Sequence, residues 1–434
     1  MTIAIFTDTF APQVNGIVTS VMSLAENLAD RGHEVIIVAP EYKDSEEYAY
    51  PGVEVVRVYS VPAAYYDGFR WSPPYSYATY KILKNRKVDL VHFMTPIFLS
   101  LVGIKIARKL RVPLVGTFHT FIADPLYFEQ LFNGPIKITS EITWKFLNLY
   151  YDAADHVTAP TEEAVRIIQD NGSQAQLEAL SNGIDFSLIG KGRGPEAKEQ
   201  YKLEDDVVLY VGRVAAEKNL KGLIDAFVLV QKTRPAAQLL IVGDGPYLEE
   251  CQAYAQEQVC ADRILFSGLI PRDELLKSGI FEASRVFATT SETETQGITI
   301  LEAQAQGMAC VGVGVGGVLN LIEDGKSGYL VSSGQTELFA QRVLSLLENP
   351  QLAFEMGAEA EKAVQVHQMD SVIDRWEEIY TDLIARNKTG ELLWRPPIRM
   401  RTLLKFSRNF EIDREFMMNW FKRWLRFFSR ASQE

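Results

Sequence analysis

The sequence predicts an α/β protein of two doubly wound domains, followed by a basic, aromatic tail. Three observations predict it. Both halves repeat a strand–loop–helix–strand order, which opens a doubly wound parallel sheet. The strands are short apolar runs ending in glycine or a polar loop, as strands buried on both faces do. A polar, Gly- and Lys-rich stretch between about Asn182 and Glu204 separates the halves.

The 434 residues exceed one ordinary core. Hydrophobic residues are 47% of the chain, enough for two globular cores. A formal net charge of −12 argues against bulk nucleic-acid binding. Cys251, Cys260 and Cys310 lack metal-ligand spacing and fit a reducing cytoplasm without structural disulfides. The chain enters a strand-like run at Ile3, so no signal peptide is expected. No apolar run approaches about 20 residues, so no transmembrane helix is expected.

Taken in order, Ile3–Phe6 is a predicted strand and Asp8–Gly16 a loop. A helix follows over Val18–Arg31, with Val21, Leu24, Ala25 and Leu28 at helical spacing. Glu34–Ala39 is the next strand. Gly16 is the only glycine in the first loop, so no GxGxxG fingerprint supports a nicotinamide cofactor. Val53–Val58 continues the sheet, and Ala63–Pro74 reads as an aromatic loop. The run Lys81–Lys87 fits either a solvated basic helix face or a surface for anionic lipid. Asp89–Phe93 and Val112–Thr120 are strands, and His119 stands at the carboxyl end of the second. Ligands of open α/β sheets bind at such ends. A histidine there either bonds a ligand or packs as an ordinary hydrogen-bonded side chain. His156–Ala159 is a strand and Thr161–Asn171 a helix.

The second series begins with strand Val207–Val211, a loop to Lys218 and a helix over Leu220–Val230. Strand Gln238–Val242 ends in Gly243-Asp-Gly-Pro246, and a helix runs over Tyr247–Gln258. Ile264–Phe266, Arg285–Thr290, Ala309–Val313 and Tyr329–Val331 complete the strands. Helices are expected over Asp273–Gly279, Thr336–Leu347, Gln351–Gln365 and Asp370–Arg386. In the last, Ile373, Trp376, Ile379, Tyr380 and Leu383 share one face. The expected domains are 1–187 and 188–370, then a helix 371–388 crossing back to the first domain and a tail 389–434.

Ser291–Gly317 carries the chemistry. Glu294 and Glu302 are separated by seven residues, with Gly297 between them at an expected helix start. A helix start presents unpaired N–H groups and the positive end of the dipole. Gly297 lets a phosphate or sugar approach the backbone. Glu294 can accept from sugar hydroxyls, and Glu302, inside the helix, from a ribose. Ordinary acidic residues near a helix start would look the same in isolation. Arg213 and Lys218 follow another strand end of this domain, and two cations five residues apart can neutralise a diphosphate.

These residues together resemble glycosyltransferase family 4, retaining enzymes of the two-lobed GT-B fold. The resemblance spans roughly Met1 to Arg386. It rests on Glu294-x7-Glu302 with Ala303-Gln-Ala-Gln-Gly307 and Gly316-Gly317, on Val211-Gly-Arg-Val-Ala-Ala-Glu-Lys218, and on Ile241-Val-Gly-Asp-Gly-Pro246. Asn15-Gly16 and Phe118-His119-Thr120 match as well. The family implies two Rossmann-like domains facing a cleft and sugar transfer from a nucleotide-diphospho-sugar, without a metal or other cofactor. It implies catalytic roles for His119, Arg213, Lys218 and Glu294. Donor binding would fall to Gly16, Arg213, Lys218, Gly243, Glu294, Gly297, Ile298 and Glu302. No Asp-x-Asp metal motif occurs. Met308-Ala309 stands where the family often has a proline, and Asn320 where it often has a glutamate. The second departure leaves sugar or nucleotide preference open.

Thr293-Glu-Thr-Gln-Gly297 resembles bacterial diacylglycerol glucosyltransferases. That resemblance implies glucose, UDP-glucose and a lipid acceptor at the cytoplasmic membrane surface. The tail supplies a separate argument. Residues 390–434 hold ten Arg/Lys against five Asp/Glu, with nine Phe/Trp. Wound as a helix, Phe416–Arg430 puts Phe416, Trp420, Phe421, Trp424, Phe427 and Phe428 on one broad face and Lys422, Arg423, Arg426 and Arg430 on the other. Such a helix suits an anionic membrane interface, or packs on the protein's own lobe or a partner subunit. A soluble family 4 enzyme acting on a sugar, polysaccharide or phosphatidylinositol, and a nucleotide-sugar epimerase, are the alternatives. UDP versus GDP, the sugar and the oligomeric state stay open at this stage.

Overall fold

The computed structural model describes residues 1–42, 48–62, 70–73, 76–120 and 140–392. The tail beyond residue 392 and most of the aromatic loop, with Tyr65, Tyr66 and Phe69, lie outside the described residues.

Each predicted series closes into its own parallel sheet. The first has seven strands in the order Val53–Val58, Glu34–Pro40, Thr2–Phe6, Leu90–Phe93, Leu114–Thr117, His156–Ala159 and Leu177–Ala179. The second has six, ordered Ile264–Gly268, Gln238–Val242, Val207–Val211, Val286–Thr289, Ala309–Val313 and Gly328–Val331. Strand alternation sends side chains to opposite faces. Ala4 and Phe6 join a core on one face of the first sheet, Ile3 and Ile5 the core on the other. Val208 and Tyr210 likewise face away from Val207, Leu209 and Val211 in the second sheet. Both sheets are therefore covered twice. That is why their strands read as unbroken apolar runs. The chain is α/β with two Rossmann-like domains.

The lobes are joined twice. The chain leaves the first sheet through Ser181-Asn182-Gly183-Ile184 and returns at Met369. Ile184 N–H donates to His367 O at 2.8 Å, and Met369 N–H donates to Ile184 O at 2.9 Å. Helix Met369–Thr389 then packs on the first lobe. Val372, Ile373, Trp376, Ile379, Tyr380 and Leu383 are buried in the core of Ile3 and Ile5. Arg31 and Glu377, 2.7 Å apart, pin the same helix at its edge.

The stretch read as a polar linker holds a helix at Gly194–Tyr201. Pro195 sits in its first turn, where a missing N–H costs nothing. The carboxylate of Glu282 anchors its start by accepting from the N–H groups of Gly192, Arg193 and Gly194 at 2.7, 2.8 and 2.9 Å. Among the described residues no helix is long and apolar enough to cross a membrane.

Candidate active site

Strand order determines where a ligand binds. The winding direction reverses between Thr2–Phe6 and Leu90–Phe93 in the first sheet, and between Val207–Val211 and Val286–Thr289 in the second. Open α/β sheets bind ligands beyond the carboxyl ends of strands at such a point. The loops leaving these ends carry Asn15 and Gly16, Arg213 and Lys218, and Glu294. His119 lies just past the neighbouring strand Leu114–Thr117.

Two helix starts meet across the lobes. Asn15 caps helix Gly16–Asp30, its side-chain oxygen accepting from Val18 N–H at 3.0 Å. Opposite it, Gly297 caps helix Ile298–Ala305 with φ +91°, a left-handed conformation that favours glycine. A Cβ placed on Gly16 would lie 3.9 Å from Cδ1 of Ile298. Two sets of unpaired N–H groups therefore share one cleft, an arrangement suited to an anion.

The cations come from the second lobe. Nζ of Lys218 donates to Oε1 of Glu294 at 2.6 Å, and the two side chains are 15% and 21% exposed. Burial disfavours the ammonium, but the neighbouring Glu294 outweighs it and holds the Lys218 proton above the usual lysine range. Arg213 sits five residues earlier, its carbonyl accepting from the Tyr210 hydroxyl at 3.1 Å. Gly243 supports this loop from behind. A Cβ there would fall 1.9 Å from Gly212 O, so only glycine allows the two strand ends to approach. Val214 N–H then donates to Asp244 O at 2.9 Å.

Glu302 stands apart from Glu294. It is 2% exposed and accepts from Nε of Arg272 at 2.6 Å. Burial raises its carboxyl and Arg272 lowers it, leaving it above the usual glutamate range. Sequence reasoning did not find Arg272, which opens helix Arg272–Lys277 on a different strand's loop. It also missed Thr295 and Gln296. The hydroxyl of Thr295 donates to His119 O at 2.6 Å across the cleft. Asn320 likewise spans the lobes, its Oδ1 accepting from Glu163 N–H at 3.3 Å.

Burial pushes the His119 imidazole down to about 4 from 6.5. Its Nε2 is buried and meets no hydrogen-bond partner among the described residues. His119 lines a cavity of about 20 Å³ with Ser20, Thr117, Ser181 and Asn182, room for one water. The folded ring is therefore neutral above about pH 4. Its contribution to stability is complete above 6.5 and is lost as pH falls towards 4, because the unfolded chain protonates first. The pH profile of kcat/KM is expected to show no His119 inflection between about pH 5 and 8. A profile whose shape changes in that range in His119→Gln would contradict a neutral ring.

Residues 14–188 match the family model "Glycosyltransferase Family 4", and residues 195–363 match "Glycosyl transferases group 1". The chain is 29% identical over 397 residues to an alpha-monoglucosyldiacylglycerol synthase of Streptococcus pneumoniae, covering 89% of this chain and 87% of that protein. It is 27% identical over 394 residues to a GDP-mannose-dependent alpha-mannosyltransferase of Corynebacterium glutamicum, covering 89% and 90%. The crystal structure of Anabaena HepE in complex with UDP-glucose superposes with a TM-score of 0.70 at 19% identity, over 88% of this chain and 99% of that one. That likeness establishes the GT-B fold. With one matched model on each lobe, the chain belongs to glycosyltransferase family 4 and is a glycosyltransferase that uses a nucleotide sugar.

Proposed function

We propose that the protein is a retaining, metal-independent hexosyltransferase that moves glucose from UDP-glucose to a lipid acceptor such as diacylglycerol at the inner face of the cell membrane. The observation that carries this reading is the gathering of Arg213, Lys218 and Glu294 at the switch point, under two facing helix starts. The bond between the anomeric carbon and the diphosphate oxygen breaks, and its electron pair leaves with the diphosphate. Arg213, Lys218 and the N–H groups at Gly297 and Ile298 stabilise that charge as it develops. Fixed cations take the role that a metal plays elsewhere. Glu294 holds the sugar, Glu302 the ribose, and Gly16 admits the phosphates to the first lobe. Gly243 keeps the Arg213 loop in place. The acceptor hydroxyl bonds to the anomeric carbon beside His119, on the face the diphosphate leaves, and its proton passes to a diphosphate oxygen. Approach of the lobes excludes water and so limits hydrolysis.

The name of the pneumococcal relative supports glucose and diacylglycerol, and that of the corynebacterial relative keeps GDP-mannose as the competing donor. Membrane docking rests on the tail composition and on helix Tyr77–Asn85. Tyr77 is 62% exposed there, and Lys81, Lys84, Arg86 and Lys87 are exposed beside it. Each cation near an anionic surface contributes about 1 kcal/mol, falling with salt.

A donor-by-acceptor panel tests the reading. UDP-glucose with diacylglycerol in anionic vesicles is expected to give product, and activity and vesicle binding should fall at high salt or without anionic lipid. Deleting residues 393–434 is expected to weaken vesicle binding. Transfer only to soluble sugars, or equal vesicle binding by the shortened chain, would overturn the acceptor or the tail assignment respectively.

A further inference from the structure

Between the carboxylate of Glu294 and the helix start at Gly297 stand Thr295 and Gln296. Their polar groups turn to the opposite lobe. The Thr295 hydroxyl donates to His119 O at 2.6 Å. Its carbonyl accepts from the Thr161 hydroxyl at 3.0 Å. That hydroxyl also caps helix Glu162–Asp170 by accepting from Ala164 N–H at 3.2 Å. A hydroxyl has one proton to give, so the Thr161 proton is committed to Thr295.

Gln296 is 1% exposed, and its carboxamide is spent on the lobe-joining segment. Oε1 accepts from the Asn182 backbone N–H at 3.0 Å and from its Nδ2 at 2.7 Å. Nε2 donates to Ser181 Oγ at 2.7 Å. Asn182 Oδ1 in turn lies 3.1 Å from Ser20 Oγ, on the first helix, whose one proton is shared with Gly16 O at 2.9 Å. The two Thr295 bonds exist only at this separation of the lobes, since their partners follow strands of the other sheet.

We infer that Thr295 and Gln296 are positioning residues that couple approach of the lobes to assembly of the site, Thr295 by fixing His119 against the sugar-binding loop. The inference rests on the nucleotide-sugar reading above. Neither residue touches the reacting atoms. Thr295 holds the backbone that carries the His119 ring, and Gln296 ties the same loop to the hinge. With the lobes apart, the loop keeps its Gln296 tie to the hinge but loses the Thr295 bonds, and His119 loses its link to the loop that carries Glu294. Donor phosphates can still bind Arg213 and Lys218, because those belong to the same lobe as the loop. The latch therefore acts on turnover and not on nucleotide affinity.

Thr295→Val keeps the branched shape and removes the donor. It is expected to lower kcat about 5- to 10-fold, the size of one lost neutral hydrogen bond. UDP affinity by calorimetry should stay within about twofold. Thr295→Ser should restore turnover. In a His119→Gln background the Thr295→Val change should have little further effect, because the two act as one unit. Wild-type turnover in Thr295→Val, an undiminished loss on top of His119→Gln, or a parallel loss of UDP affinity and melting temperature would each overturn the latch. Failure of the wild-type protein to bind UDP would instead overturn the UDP-sugar donor reading, so the two failures are distinguishable.

Discussion

Replacing Lys218 by alanine is expected to lower turnover by about 10²-fold or more, and replacing Arg213 to do the same, judged by the loss of single donors to developing anions in other enzymes. The expectation follows from where the charge goes. In the proposed mechanism the sugar bond breaks with its electrons on the diphosphate, and two side-chain cations and the N–H groups of a helix start meet that charge. Lys218 is held ready for this. It is 15% exposed, paired to Glu294 at 2.6 Å, and charged beyond the usual lysine range despite its burial. Its raised proton affinity makes the charged pair a source of stability up to the ordinary lysine range, lost only as pH rises above it. Lys218→Ala also leaves Glu294 without its partner, and Glu294 keeps 21% of its side-chain surface in water, so solvent screens part of that charge. Adding Glu294→Gln to Lys218→Ala separates the terms. If the loss is leaving-group stabilisation, the double variant stays slow. If it is an unpaired carboxylate, the double variant turns over as fast as Glu294→Gln alone. Near wild-type kcat in both Arg213→Ala and Lys218→Ala would remove the two cations from the mechanism.

The sequence made the sheets legible for a physical reason. Strands covered on both faces, such as Val207–Val211 and Gln238–Val242, have no polar face to interrupt them, and each ends where glycine or a polar loop begins. Parallel strands then gather their carboxyl-end loops on one edge. Arg213, Lys218 and Glu294 could be grouped before any geometry was known, although their loops lie far apart in the chain. What escaped was pairing that no local pattern encodes. Thr295 and Gln296 bond to residues 176, 134 and 115 positions away, and each alone reads as ordinary loop polarity. Arg272 escaped for the same reason, since nothing near it marks it as the counter-ion of Glu302, thirty residues on. Helix Gly194–Tyr201 was hidden by a composition that reads as a linker. It forms because Glu282 anchors three successive N–H groups at its start and because it packs on helix Ile280–Ala283.

Glu302→Gln is expected to raise the UDP dissociation constant about tenfold while lowering kcat less. Glu302 differs from Glu294 in its surroundings. It is 2% exposed, and its charged partner Arg272 keeps 26% of its side chain in water. An ionised carboxylate accepts hydroxyls on both oxygens, and hydrogen bonds to charged groups contribute about 1.5–3 kcal/mol against about 0.5–1.5 for neutral ones. The glutamine keeps the shape and one acceptor, so the loss is the difference, about 1–2 kcal/mol. On the proposed assignment of Glu302 to the ribose it falls on affinity, because that group is remote from the breaking bond and is held equally in ground and transition states. Acidity gives a second readout. Burial holds the Glu302 carboxyl above its ordinary 4.5, so the folded protein binds its proton before the unfolded chain does. Stability from this group therefore declines as pH rises through the window above 4.5, and UDP affinity improves through the same window as the carboxylate forms. Glu302→Gln removes both slopes. Calorimetric titration of UDP from mildly acidic to neutral pH measures one and melting measures the other. A variant with unchanged UDP affinity, or one that keeps the wild-type acid dependence, would place the ribose elsewhere and leave Glu302 as the structural counter-ion of Arg272.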